Sequence, residues 1–272
     1  MKIIKKRYEV EKLRKKSENI AFIPTMGALH SGHISMIKKA RRKKQKVLVS
    51  IFVNPRQFNS RKDFINYPNN LQNDKKILRK FKINYLFLPT FKEIYSFKTK
   101  NKIYLHKFQK RLCGNYRPGH FKGVIDVVNR FLEIINPKTI YLGEKDFQQL
   151  FLIKMHILKN KISTQIVSCK TIRNNCGLAF SSRIYRLSKE EVKIACKIIN
   201  ILRNKKKEIM RKKLKRFDFL NIKKMINNYK FVKIEYIEAI DLKNLKKIGS
   251  FKKNLRIFVS YYNKKIRLID NF

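Results

Sequence analysis

The chain has no tryptophan, and only 8 glycines, 6 prolines and 4 cysteines in 272 residues; 18 acidic side chains stand against 67 Lys and Arg. Each scarcity excludes something. No stretch approaches the ~18 uncharged apolar residues that a membrane span requires. The basic opening Met1-Lys2-Ile3-Ile4-Lys5-Lys6-Arg7 is not followed by the apolar core of a signal peptide, so no secretory leader is expected. Cys113, Cys169, Cys176 and Cys196 are scattered without a Cys-x-x-Cys pair. That spacing speaks against a zinc site or a disulfide framework, and for a reducing, cytoplasmic environment. The shortage of acid leaves a formal net charge of +49, which invites a nucleic-acid partner. The basic residues, however, are spread over nearly every segment, and Lys, Asn, Ile, Phe and Tyr are all residues of AT-rich codons. A skewed genome accounts for the whole bias. Nonspecific adhesion to polyanions follows from the charge, but a specific nucleic-acid partner does not.

Seven of the eight glycines fall in four places: Gly27 and Gly32; Gly114, Gly119 and Gly123; Gly143; and Gly177. In a chain this poor in glycine, these mark tight turns and close ligand approaches. The first pair lies in Pro24-Thr25-Met26-Gly27-Ala28-Leu29-His30-Ser31-Gly32-His33. The apolar run Ile20–Ile23 before it predicts a buried strand. Ile34, Met36, Ile37 and Ala40, interleaved with Lys and Arg, predict an amphipathic helix after it. A helix N-terminus carries unpaired N–H groups and partial positive charge, which suit a phosphate. His30 and His33, three residues apart, fall on one side of the first turn, and Gly32 keeps the backbone bare for a nucleotide.

Residues 7–18 predict a charged surface helix. Lys46–Val53 is a near-continuous apolar run, as in a strand covered on both faces, and it ends in Asn54-Pro55-Arg56-Gln57-Phe58. Such a loop sits at the strand's carboxyl end, where open α/β sheets bind ligands. A helix is expected over 69–81, a strand over 83–88, a helix over 123–135, a strand over 139–142, a helix from Phe147 and a strand over 164–168. This alternation predicts an α/β fold with a Rossmann-like doubly wound parallel sheet over residues 1–169. Residues 170–272 read as a smaller α+β C-terminal domain. It holds a long helix capped by Ser188, another helix, and strands near 231–239, 256–262 and 265–269.

Laid side by side, these stretches resemble the AMP-forming pantoate–β-alanine ligases of the His-x-Gly-His nucleotidyltransferase superfamily, nearly end to end. The resemblance is carried by the 24–33 segment, Ser50–Phe58, Tyr67-Pro68, Arg117-Pro118-Gly119-His120-Phe121, Gly143-Glu144-Lys145-Asp146-Phe147-Gln148-Gln149, Gly177–Arg183 and Arg267–Asn271. His-x-Gly-His alone is shared by many nucleotidyltransferases; these motifs together and in order are specific. The resemblance implies that ATP and pantoate form pantoyl adenylate and pyrophosphate, and that β-alanine then attacks the adenylate to give pantothenate and AMP. It implies catalytic roles for His33, His30, Lys145 and Arg183. It implies nucleotide contacts from Met26, Gly27, Ala28, Leu29, His30, Ser31, Gly32 and His33. Further nucleotide contacts are implied from Gly143, Glu144, Lys145, Asp146, Ile172, Phe180, Ser181, Ser182 and Arg183. Gln57 and Gln149 would hold pantoate, with Met26 against its methyl groups. Mg²⁺ is implied by the phosphates, with Asp74 on an acidic helix face able to approach it. Arg117 and His120 match a loop near the pantoate pocket, in a structural role or in ligand contact. A homodimer, no membrane association, and a closing role for residues 170–272 as a lid are implied as well. The chain departs from the family at Asn69, Cys176 and Phe180. Rival readings are transfer of AMP to a phosphorylated acceptor, which would want Arg or Lys at Gln57 and Gln149, and a decayed scaffold that binds RNA.

Overall fold

Strand β2 (Ile20–Thr25) is buried at five of its six positions, and β3 (Lys46–Ile51) likewise, which places both at the centre of a sheet covered on its two faces. The computed structural model describes residues 1–16 and 19–272. It forms two compact units, Met1–Ile172 and Arg173–Phe272. In the first unit, β1 (Lys2–Ile4), β2, β3, β4 (Tyr85–Phe87), β5 (Thr139–Gly143) and β6 (Gln165–Cys169) make one all-parallel sheet in the order β1-β4-β3-β2-β5-β6. The doubly wound architecture expected from the strand–helix alternation is therefore present. Chain order reverses between β2 and β5, so the loops leaving these two strands flank the switch point, where α/β sheets bind ligands.

Sequence and structure differ mainly at ends. The first helix runs Arg7–Lys16, and positions 17 and 18 of the expected helix lie outside the described residues. The helix expected at 123–135 begins earlier, at His120, behind Gly119 at φ +77°. Strand β1 was not expected from the basic opening. It joins the sheet edge through β4, more than eighty residues away in the chain.

One face of the sheet buries Ile37 and Ala40 of the helix Ser31–Arg42 with Leu78 of the helix Leu71–Lys80. The opposite face takes the helix His120–Ile135, whose Phe131 packs ring-to-ring with Phe22, Phe52 and Phe87. Buried His156, on the helix Phe147–Lys159, ties this layer to the 101–104 segment. Its Nδ1 accepts from the Tyr104 N–H at 3.2 Å, so Nε2 carries the proton and faces Asn129 Oδ1 at 3.0 Å. Burial pushes its pKa down to about 4. The neutral ring is thus built into the folded state, whereas the unfolded chain takes up a proton below about pH 6.5. Stability is lost as pH falls through that window, and lowering pH from 7 to 5 is expected to cost about 2 kcal/mol through this residue. Urea unfolding at the two pH values checks this; a His156→Gln variant should lose less between them.

In the second unit, β7 (Val232–Asp241), β8 (Lys246–Lys247), β9 (Leu255–Asn263) and β10 (Ile266–Asn271) form an antiparallel sheet in the order β10-β9-β7-β8. It packs through Val259, Tyr261 and Ile257 against Ala195, Ile198, Ile199 and Leu202 of the helix Lys189–Lys212. Ser188 caps that helix in a reciprocal box with Glu191. One expectation is overturned here. Cys176 and Cys196 are joined by a disulfide, because the turn at 174–177 folds back onto the second turn of this helix and brings the two Cα atoms to 5.6 Å. Among the described residues, no helix is long and apolar enough to cross a membrane.

Candidate active site

The loop after β2 turns through two residues in the left-handed region, Gly27 at φ +84° and Ala28 at φ +49°. A non-glycine residue there needs outside support. Asp74 supplies it. This carboxylate is fully buried and accepts the Ala28 N–H on Oδ2 at 2.9 Å and the Leu29 N–H on Oδ1 at 2.8 Å. Burial pushes its pKa up, and the two backbone N–H groups pull against that shift. Both of its oxygens are aimed at the chain's own turn, a structural role beside the approach to a metal that the family resemblance implies.

The turn delivers His30 to the N-cap of the helix Ser31–Arg42. His30 Nδ1 accepts the Gly32 N–H at 3.1 Å, and His33 Nδ1 accepts the His30 N–H at 3.3 Å, a capping box made of two imidazoles. Each Nδ1 is an acceptor, so each ring carries its proton on Nε2 while neutral. The ring centroids are 4.0 Å apart. Burial, then His33 and Lys145, push the His30 pKa down to about 2. Burial first, with Lys145 assisting and Asp146 opposing, puts His33 at about 4. Two neutral N–H donors thus stand at a helix N-terminus. Gly32 serves this arrangement in a way the sequence did not reveal: a Cβ there would lie 2.9 Å from His30 Cε1, so the bare backbone makes room for the capping ring.

Lys145 and Asp146 come from the 3-10 turn Glu144–Asp146 that leaves β5, and are ion-paired at 3.0 Å. The Lys145 charge acts on both histidines and that of Asp146 on His33, so the turn leaving β5 lies within electrostatic reach of the histidine pair. Gly143 closes β5, and a Cβ on it would meet nothing within 4 Å, so it leaves open space there. Glu144 accepts from the Ser168 hydroxyl at 2.8 Å. Gln149 is half-buried in the first turn of the following helix. Ile172, also half-buried, is the last residue of the first unit.

Gln57 ends the 3-10 turn Pro55–Gln57 that leaves β3. Asn54 caps it, accepting the Arg56 N–H on Oδ1 and donating from Nδ2 to the Gly123 carbonyl. Arg56 lies over the Tyr95 ring and is ion-paired with Asp126. The Gln57 amide nitrogen reaches Met26 Sδ at 2.6 Å, which brings together two of the residues expected at pantoate.

The remaining expected residues lie in the second unit. Phe180 and Ser181 precede the 3-10 turn Ser182–Arg186, which packs on β10. Arg183 Nη1 donates to the Arg267 carbonyl at 3.3 Å. Upstream, Arg173 forks onto Asp270 at 2.6 and 3.0 Å and also reaches the Gly177 and Asn271 carbonyls, anchoring the segment that leads to the serines. Sequence reasoning missed Asp74 as the support of the histidine turn and Arg173–Asp270 as the anchor of the serine segment. The only sequence signal for Asp74 was an acid in the first turn of an otherwise basic helix.

A family model described as pantoate-beta-alanine ligase matches residues 2–272. The pantothenate synthetase of Francisella tularensis subsp. novicida is 40% identical over 275 residues, covering 99% of this chain and 95% of its relative. A crystal structure of pantoate-beta-alanine ligase from Francisella tularensis, complexed with beta-gamma ATP and beta-alanine, superposes with a TM-score of 0.82 at 39% identity. The match covers 100% of this chain and 97% of that one. The pantoate-beta-alanine ligase (pantothenate synthetase) of Thermus thermophilus gives a TM-score of 0.91 at 29% identity, covering 100% and 99%. Matched along essentially its whole length, the chain belongs to the pantoate–β-alanine ligase family.

Proposed function

We propose that this enzyme joins pantoate to β-alanine at the expense of ATP, in two steps on one site. A carboxylate oxygen of pantoate attacks the α-phosphorus of ATP and pyrophosphate leaves with the bond's electron pair. The β-alanine amine then attacks the acyl carbon of pantoyl adenylate; AMP leaves and the amine's extra proton passes to solvent. The nucleophiles are the substrates' own groups, so the protein needs no activated Ser or Cys. Its task is alignment and stabilisation of charge on the phosphates.

The observation that carries this reading is the imidazole capping box, because it holds two neutral Nε2–H donors at a helix N-terminus. These suit the phosphates of ATP, with Lys145 as the adjacent cation. Ser181, Ser182 and Arg183 are assigned to the same phosphates, with Phe180 and Ile172 beside the nucleotide. Those assignments rest on the matching motifs. Gln57 and Gln149 are assigned to pantoate, since an amide donates and accepts at once, as a hydroxy acid requires, and Met26 offers apolar wall. Among the described residues, no three His, Cys, Asp or Glu side chains cluster as a metal cage, and the Asp74 oxygens are turned to the backbone. Mg²⁺ is assigned to the triphosphate as part of the substrate, because Mg²⁺ in nucleotide sites is held largely by phosphate oxygens and water. A cytoplasmic location and a homodimer are part of the proposal, on the strength of the family resemblance.

The test is product analysis. With ATP, Mg²⁺, pantoate and β-alanine, pantothenate, AMP and pyrophosphate should appear in equal amounts, and ADP should not. Formation of ADP, or turnover that ignores pantoate, would overturn the reading.

A further inference from the structure

Gln57 is held by more than its own turn. Its main-chain carbonyl faces His120 Nδ1 at 2.7 Å and receives Arg117 Nη2 at 3.1 Å. Arg117 Nη1 lies 3.0 Å from His120 Nε2. A guanidinium has donors only, so His120 Nε2 must accept from it. Nδ1 then carries the proton and donates to Gln57. The arginine thereby selects the tautomer in which the histidine can hold the carbonyl. A third tie joins the same two loops, as Asn59 Nδ2 donates to the Pro118 carbonyl at 2.6 Å. Gly119, at φ +77°, turns the 117–120 segment so that both side chains return to one acceptor. Four residues on, Gly123 lets the helix His120–Ile135 lie against the Arg56 carbonyl and the Gln57 backbone, where a Cβ would collide.

We propose that Arg117 and His120 are positioning residues for pantoate: together they fix the Gln57 backbone, and so the aim of its side-chain amide, without touching the substrate. The inference rests on the assignment of Gln57 to pantoate. It resolves the two roles open to these residues in the sequence in favour of an indirect one. It also predicts a selective defect. Loosening Gln57 weakens the hold on pantoate, whereas the histidine pair and Lys145 at the phosphates hang on other loops.

His120→Phe keeps a ring and removes the donor; His120→Asn restores a donor close to the Nδ1 position. In the full enzyme, His120→Phe should raise the pantoate KM about 10-fold, as expected for loss of one fixing hydrogen bond, with the ATP KM unchanged. His120→Asn should recover most of that loss. Arg117→Met, which releases the tautomer and one of the two donors, should raise the same KM in the same selective way and carries the test if His120→Phe does not fold. A pantoate KM that stays at the parent value in the folded variants, while Gln57→Ala raises it, overturns the positioning role alone. A Gln57→Ala variant with unchanged pantoate KM overturns the pantoate assignment and this inference with it. Equal rises in the ATP and pantoate KM would mark general loosening and also contradict it.

Discussion

Replacing His33 by alanine is expected to slow pantoate-dependent pyrophosphate release by about 10²–10³-fold, while pantoate affinity stays within a few-fold of the parent. His33 is one half of a reciprocal cap: its Nδ1 accepts the His30 N–H at 3.3 Å, which leaves Nε2 as the protonated nitrogen. Burial keeps the ring neutral, with a pKa of about 4, so at neutral pH it acts as a hydrogen-bond donor with no net charge. A donor fixed before ATP arrives needs no reorganisation as charge builds on the leaving pyrophosphate. Alanine removes that donor and also frees the His30 N–H, so the first helical turn loses part of its cap. Glutamine at this position reaches a similar point with an amide N–H, and His33→Gln should recover part of the rate. Pre-steady-state pyrophosphate release at saturating ATP checks both variants. A His33→Ala rate within about fivefold of the parent would remove His33 from the chemistry.

Asp74→Ala is expected to cost about 3 kcal/mol of stability and to slow adenylation by about 100-fold or more. Two buried backbone donors, at Ala28 and Leu29, lose their acceptor together. Each unsatisfied N–H costs about 1–3 kcal/mol, and release from burying a carboxylate offsets part of the sum. The functional loss has a geometric origin. Ala28 sits at φ +49° just ahead of His30, and loss of the carboxylate removes two hydrogen bonds that support that conformation. Misplacement of catalytic groups by about 1 Å can cost about 100-fold in rate. Asp74→Asn separates the two effects. It keeps the volume and one acceptor oxygen but turns an NH₂ group toward the other N–H, so it should remain folded and lose about 10–100-fold in pyrophosphate release. Urea unfolding alongside the same kinetic assay reads both. An Asp74→Asn enzyme of parental rate would show that the turn holds itself.

How much of this was legible beforehand depends on how far apart the cooperating residues lie. The histidine pair was readable because its partners are three residues apart and the flanking periodicities change from strand to helix around them. The parallel sheet was readable because β2 and β3 are continuous apolar runs. Asp74 was not, since its partners are 45 and 46 residues away and its pattern is one acid on a basic amphipathic helix. Strand β1 escaped notice because three residues beside lysines carry no period, and only pairing with β4 makes them a strand. Gly32 was assigned to ligand approach, whereas its most direct constraint is the neighbouring His30 ring. The Cys176–Cys196 pairing was hidden because spacing reveals local motifs and not a turn folding back onto a later helix. At Gln57, the residues alone indicated only a loop at a strand's carboxyl end. Its link to pantoate came from the family resemblance, and its ties to Arg117 and His120 came only from the structure.

The central claim is that pantoate itself is the nucleophile toward ATP, through an adenylate held on the enzyme. The most direct measurement is single-turnover pyrophosphate release with ATP, Mg²⁺ and pantoate but no β-alanine. The account predicts a burst of about one pyrophosphate per active site that requires pantoate, followed by pantothenate and AMP when β-alanine is added. Pyrophosphate that appears only when all three substrates are present, or that forms equally without pantoate, would contradict it.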